Sequence, residues 1–263
     1  MSTLSYAVGD SRTMLRRNLR RMLRYPALTL MLVGIPVVFL LLFVYVFGGT
    51  LGVGLGGRSG GRAEYVNFVT PGILLVTVAG AAQGTAISVA MDMHEGIIAR
   101  FRTMAIWRAS VLAGHVLGSM IQTMLGIAIV VGVALLVGFR PAASPVQWIA
   151  AVGVLAVLSL ALSWLSVALG LVTKSVETAS NLPMPLMLLP FLGSGFVPTH
   201  SMPGALRWFA DHQPFTPIIN TLRGLLIGTP SGNSAVIAVA WCLAITLGGY
   251  IWARALYNRD PAS

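Results

Sequence analysis

A chain of 263 residues that is 56% hydrophobic and 9% charged, with a mean hydropathy of +0.84, has too little polar surface to cover a soluble globule. The net charge of +10 does not point to nucleic acid: six arginines crowd ahead of the first apolar stretch, where anionic headgroups would meet them, and no aromatic–basic pattern for base stacking accompanies them. The single cysteine, Cys242, excludes an internal disulfide and reads as a packed apolar thiol.

In residues 11–24, Leu15, Leu19, Met22 and Leu23 share one helical face, and Arg16, Arg17, Arg20, Arg21 and Arg24 share the opposite one. Asp10 or Ser11 can cap the start and Pro26 forces a break, so the pattern predicts an amphipathic helix lying along the membrane surface. Six windows without Asp, Glu, Lys or Arg follow, at 25–57, 65–91, 109–139, 141–173, 178–206 and 224–253. Each exceeds the roughly 20 residues of a spanning helix. The expected fold is therefore all-α, a polytopic integral membrane protein with six transmembrane segments. The first apolar run is too long for a signal peptide and no small-residue cleavage site follows it, so it is read as a retained span.

The first span is predicted at 27–47 with a kink at Pro36, followed by a flexible glycine-rich loop. The second is predicted at 69–90, the third at 111–138, the fourth at 147–173 and the last at 234–254. Residues 91–108 form a polar segment and 174–180 a brief polar turn. The fifth window carries Pro183, Pro185, Pro190 and Pro198, each lacking a backbone donor, together with Gly193 and Gly195. It predicts a broken or short helix, viable only where neighbours shield its freed carbonyls. Residues 203–227 read as short helices at the far surface, separated by Pro214 and Pro217. Six spans place twelve basic residues on the side holding both termini, 91–108 and 174–180, and five on the other (Arg58, Arg62, Arg140, Arg207, Arg223), so both termini are expected in the cytoplasm.

The residues that could carry chemistry are few. The phosphate-binding pattern G-x-x-x-x-G-K-[ST] is absent, so any ATP chemistry must come from another chain. All seven acidic residues lie at span ends or in loops, which argues against an ion-coupled carrier; His115, one turn inside the third span, reads as a hydrogen-bonded histidine. Asp92, His94 and Glu95 form a D-x-H-E cluster whose spacing does not put three ligands on one helical face, so no metal is expected. Ser163, Ser194 and Ser201 have no His–Asp neighbours in sequence to make a hydrolase site. G-H-V-L-G at 114–118 permits close helix approach.

Two stretches carry a family likeness: M-D-M-H-E-G-I-I-A-R-F-R-T-M-A-I-W-R-A-S-V-L-A-G-H-V-L at 91–117, and F-V-P-T-H-S-M-P-G-A-L-R-W-F-A-D-H-Q-P-F-T-P-I-I-N-T-L-R at 196–223. They resemble the ABC-2 family of ABC-transporter permeases, especially the daunorubicin-resistance-type drug-export permeases of actinobacteria. Glu95, Gly96, Arg100, Phe101, Arg102 and Arg108 match the family's E-G…R-F-R…R pattern, and Pro198, Pro203, Pro214 and Arg223 match its signature before the last span. Ala105 departs from the proline the family often has after R-T-M.

The resemblance implies a cytoplasmic N-terminus over 1–25 and a type V exporter-like ABC-2 transmembrane domain over 26–258, with a broken fifth segment and outer short helices over about 182–227. It implies a coupling helix at about 91–108, including His94 and Trp107, that docks on a cytosolic ABC ATPase. On physical grounds alone that segment could equally be a plain loop held at the headgroups by its arginines. The resemblance further implies a second permease subunit, identical or homologous, and residence in a bacterial plasma membrane. ATP and Mg would sit on the partner, with no cofactor on this chain, which is then a transporter subunit and not itself an enzyme. The expected cargo is an amphipathic or hydrophobic, drug-like compound. Alternatives are export of a cell-envelope lipid, glycan or peptide, an ion-coupled carrier, and a membrane enzyme or assembly factor. Pro36, Pro183, Pro185, Pro190 and Phe196 are the candidate residues of the path.

Overall fold

In a bilayer every backbone N–H and C=O must find a partner within the protein, and a helix does this segment by segment. The computed structural model describes residues 16, 26–54, 61–96 and 108–258. Of the predicted surface helix, Arg16 is helical and exposed, whereas Arg17, Arg20, Arg21 and Arg24 lie outside the described residues. So do Arg100, Phe101, Arg102 and Trp107.

Helix α1 (Pro26–Leu42) passes through Pro36 and continues as a π-helical turn, Phe43–Phe47, into α2 (Gly48–Val53). Next come α3 (Arg62–His94), α4 (Arg108–Val137) and α5 (Pro145–Val172). The fifth window divides into α6 (Val176–Asn181), α7 (Met184–Leu188), a run of turns and a 3-10 turn at Thr199–Ser201. Helices α8 (Gly204–His212), α9 (Phe215–Ile227) and α10 (Ser234–Tyr257) complete the chain. Among the described residues, five helical stretches are long and apolar enough to cross a membrane: Leu32–Val53, Arg62–His94, Leu112–Val137, Pro145–Val172 and Ser234–Tyr257. The predicted fifth segment is broken, as its prolines require.

Three local expectations are corrected. The glycine-rich stretch is helical as far as Val53, because Gly48 and Gly52 let α2 lie against the start of α3: a Cβ on Gly52 would strike the Gly61 carbonyl, and one on Gly48 would come within 3.1 Å of Arg62 Cγ. The polar turn at 174–180 contains α6, whose first turn is capped by Ser175 Oγ accepting from Thr178 N at 3.1 Å. Residues 215–227 are not a surface helix. Phe215, Ile218, Ile219, Leu222 and Leu226 are buried, so α9 turns back into the bundle. Pro217 falls in its first turn, where a missing N–H costs nothing, and therefore does not separate two helices.

Helix α3 runs through the middle, packed on α1, α4, α5, α6 and α9, and α10 lies along α5. One core cluster joins α1, α3, α4, α5 and α9 toward the end that holds Arg62 and Arg140. A smaller one, with Val89, Leu112, Val116, Val167, Ala168, Ala253 and Tyr257, fills the end that holds His94. Hydroxyls inside the helices bond their own backbone: Thr70 to Val66 O, Thr77 to Ile73 O, Thr123 to Ser119 O. The α4–α5 turn stops sharply because Ser144 and Gln147 form a reciprocal capping box with Pro145 in the first turn.

The α5–α10 contact depends on Gly249, where a Cβ would lie 2.7 Å from Leu165 N and 2.9 Å from Trp164 C. Gly249→Ala should push the helices apart and lower stability by about 1–3 kcal/mol. Gly248→Ala, where a Cβ has nothing within 4 Å, serves as the control. Thermal unfolding of the two variants in detergent micelles checks the difference.

Candidate coupling and translocation elements

At the His94 end, the predicted 91–108 segment resolves into parts. Residues 91–94 are the last turn of α3, Glu95 is its exposed C-cap, and Gly96 adopts φ +68° with its N–H bonded to Met93 O at 3.1 Å. This left-handed position, which suits glycine, closes the helix, and so accounts for the E-G pair. Arg108 is the first residue of α4. His94 is exposed. Inboard of these ends lies a pair that sequence spacing did not join: His115 Nε2 and Asp92 Oδ2 are 3.1 Å apart, both side chains almost wholly buried. Gly114 and Gly118 of the G-x-x-x-G motif flank His115 and are buried. Among the described residues no group of three or more His, Cys, Asp or Glu could hold a metal ion.

Further in, Thr85 Oγ1, Ser119 Oγ and Ser163 Oγ join α3, α4 and α5 by side-chain hydrogen bonds. Ser194 Oγ donates to Asn220 Oδ1 and Ser201 Oγ to Pro198 O. These partners give none of the three predicted serines a histidine base.

The broken segment is held by its carbonyls along its length. Gln83 Nε2 donates to Ser180 O at 2.6 Å and Gln213 Nε2 to Leu189 O at 2.9 Å. Arg223 donates to Ser194 O at 2.7 Å, and Tyr65 OH to Phe196 O at 3.2 Å. Ser194 lies four residues before Pro198, so its carbonyl is one that a helix could not have served. Arg223 also donates to Phe68 O at 3.1 Å and Asn220 Oδ1 at 3.2 Å, and its guanidinium lies 4.0 Å from the centre of the Phe68 ring. Gly72 and Gly195 bring α3 and the broken segment into backbone contact: a Cβ on Gly72 would lie 2.8 Å from Gly195 Cα.

Of the candidate path residues, Pro36, Pro183, Pro190 and Phe196 are buried and Pro185 is exposed. Phe196 stacks on Phe191 with centroids 4.3 Å apart, Phe43 lies 4.6 Å from Phe196, and Phe39 meets Phe191 edge-on at 5.4 Å. These four rings fill the junction of α1, its π-helical turn and the broken segment. Sequence reading selected Phe196 but missed Phe39, Phe43 and Phe191, whose spacing only the fold brings together.

Residues 10–227 match the family model described as ABC-2 type transporter. The chain belongs to that family. The permease is 32% identical over 225 residues to the daunorubicin resistance ABC transporter permease protein of Streptomyces coeruleorubidus, an alignment covering 85% of this chain and 77% of the relative. It is 24% identical over 174 residues to the probable doxorubicin resistance ABC transporter permease protein of Mycobacterium tuberculosis, covering 65% and 63%. It is 24% identical over 172 residues to ABC transporter G family member 20 of Dictyostelium discoideum, covering 63% of this chain and 23% of that protein. The molecule is thus the multi-pass membrane permease subunit of an ABC exporter, a class that pairs with ATPase subunits and lacks a nucleotide-binding domain.

Tyr65→Phe should cost about 1–3 kcal/mol by leaving the Phe196 carbonyl unserved. Arg223→Ala, which strands the Ser194 carbonyl and removes the bonds to Phe68 O and Asn220, should cost roughly twice that, and Arg223→Lys should recover part. Thermal unfolding in detergent micelles ranks the three.

Proposed function

We propose that this permease moves an amphipathic or hydrophobic, drug-like compound out of the cell, driven by ATP bound to a separate subunit. The observation that supports it best is the likeness to a daunorubicin resistance permease over most of both chains. The bundle agrees in character. Among the described residues the one buried carboxylate–imidazole pair sits at the end of the spans, and the junction of α1 with the broken segment is lined by Phe39, Phe43, Phe191 and Phe196, surfaces suited to a flat apolar molecule.

In this reading the His94 end and both termini face the cytoplasm. Residues 97–107, between Gly96 and Arg108, dock on the ATPase. Closure of paired ATPases on ATP pushes that segment, and the aromatic junction opens outward. Shifting such an equilibrium from 1:99 to 99:1 takes about 5.5 kcal/mol of differential binding. A second permease subunit, identical or homologous, completes the path, whose residues include Pro36, Pro183, Pro185, Pro190 and Phe196. The arginines at 16, 17, 20, 21 and 24 rest on the inner headgroups.

The test has two arms. Replacing Arg100, Arg102 and Trp107 together with Ala should abolish co-purification of a cytosolic ABC ATPase subunit that the unaltered permease retains; an undiminished complex overturns the docking assignment. Inside-out vesicles holding the assembled complex should accumulate daunorubicin with ATP and stop with vanadate. Uptake driven by a proton gradient without nucleotide overturns the reading, and ATP-driven movement of envelope lipid, glycan or peptide in place of daunorubicin replaces the cargo.

A further inference from the structure

The buried Asp92–His115 pair has no part in the reading above, yet it stands where the motion would enter. Asp92 lies two residues before α3 ends at His94, and His115 lies seven residues, about two turns, after α4 begins at Arg108. Their bond therefore bridges the two helices that carry the proposed docking segment. Around it are Val89, Leu112 and Val116, an apolar setting in which a carboxylate is expensive unless it is bonded. An aliphatic pair would fill the same space at lower cost, so what the polar pair adds is a fixed register between α3 and α4. One turn beyond His115, Ser119 bonds Thr85 of α3 and Ser163 of α5, so the same seam reaches a third helix.

We propose that Asp92 and His115 are positioning residues that join the inner ends of α3 and α4 into one moving body, so that a push on residues 97–107 displaces both helices together. This rests on the docking role assigned to that segment. The apolar contacts hold the helices side by side without the pair, whereas the pair fixes their relative height and rotation.

The experiment uses the complete permease with its ATPase subunit, reconstituted in lipid, in a Cys242→Ala background. Spin labels on Ala142→Cys and Ala205→Cys, both exposed at the far end, report the ATP-driven distance change without knowledge of the cargo. Asp92→Ala and His115→Ala should retain the ATPase subunit and its hydrolysis while the ratio of shifted to unshifted molecules falls roughly tenfold. The double alanine variant should fall no further than the more affected single, because the Asp92–His115 bond is lost in each. Asp92→Asn and His115→Gln, which keep a hydrogen bond, should respond nearly as wild type, as should Ser163→Ala, which removes a bond deeper in the seam. A wild-type response from both alanine variants, or an equal loss in Ser163→Ala, overturns the assignment. If the alanine variants do not reach the membrane, the Asp92→Asn/His115→Gln double variant decides: a retained response supports the tie and a lost one overturns it. A wild-type complex that binds its ATPase but shows no distance change with ATP removes the proposed power stroke first, and the role of the pair with it.

Discussion

A carbonyl without a hydrogen-bond donor is not tolerated in a medium that excludes water, and the segment from Ser180 to Pro198 creates several. Its prolines prevent a continuous helix, so the donors must come from elsewhere. Gln83 and Tyr65 of α3, Gln213 of the α8–α9 link and Arg223 of α9 supply them to Ser180, Phe196, Leu189 and Ser194 in turn. This requirement explains why α9 folds inward instead of lying on the surface. It must bring Arg223 and the side of Thr216 against the broken segment, and Gly193, Gly195 and Gly72 clear the space for that approach.

The bundle thus holds itself by different means at its two ends. At the Arg140 end, irregular backbone is fastened by side chains from regular helices, and aromatic rings occupy the space left over. At the His94 end, regular helices are fastened to one another through Asp92–His115, the hydroxyls of Thr85, Ser119 and Ser163, and the close approach of Gly170 to Ala86. Apolar packing in lipid has little orientational preference, so these few polar contacts fix which face of each helix meets which.

Much of the architecture was legible in the sequence because the bilayer reduces the problem to charge-free windows of sufficient length, and because proline acts locally. The spans at 69–90, 111–138, 147–173 and 234–254 lie within or close to observed helices, and the interruption between Pro183 and Pro198 could be read residue by residue. What escaped was whatever depends on distance in space. Asp92 and His115 look unrelated at a separation of 23 positions until α3 and α4 are laid antiparallel. The arginine at 223 read as an outer-surface charge because residues 203–227 mix apolar residues with Arg207, Asp211 and His212, whereas the helical repeat of Phe215, Ile218, Ile219, Leu222 and Leu226 already marks a buried face. The glycines at 48 and 52 read as a loop because propensity ignores the close neighbour that a missing Cβ admits.

Helix α3 extends over 33 residues without interruption. At 1.5 Å per residue this is about 50 Å, against a hydrocarbon layer of about 30 Å, so the rod either leans or overshoots both surfaces. It is gripped along its middle, where every residue from Val69 to Ala79 is buried and Gly72 admits the Gly195 backbone. A stiff beam seized there behaves as a see-saw: a sideways nudge at His94 returns at Arg62 in the opposite sense, scaled by the ratio of the two arms.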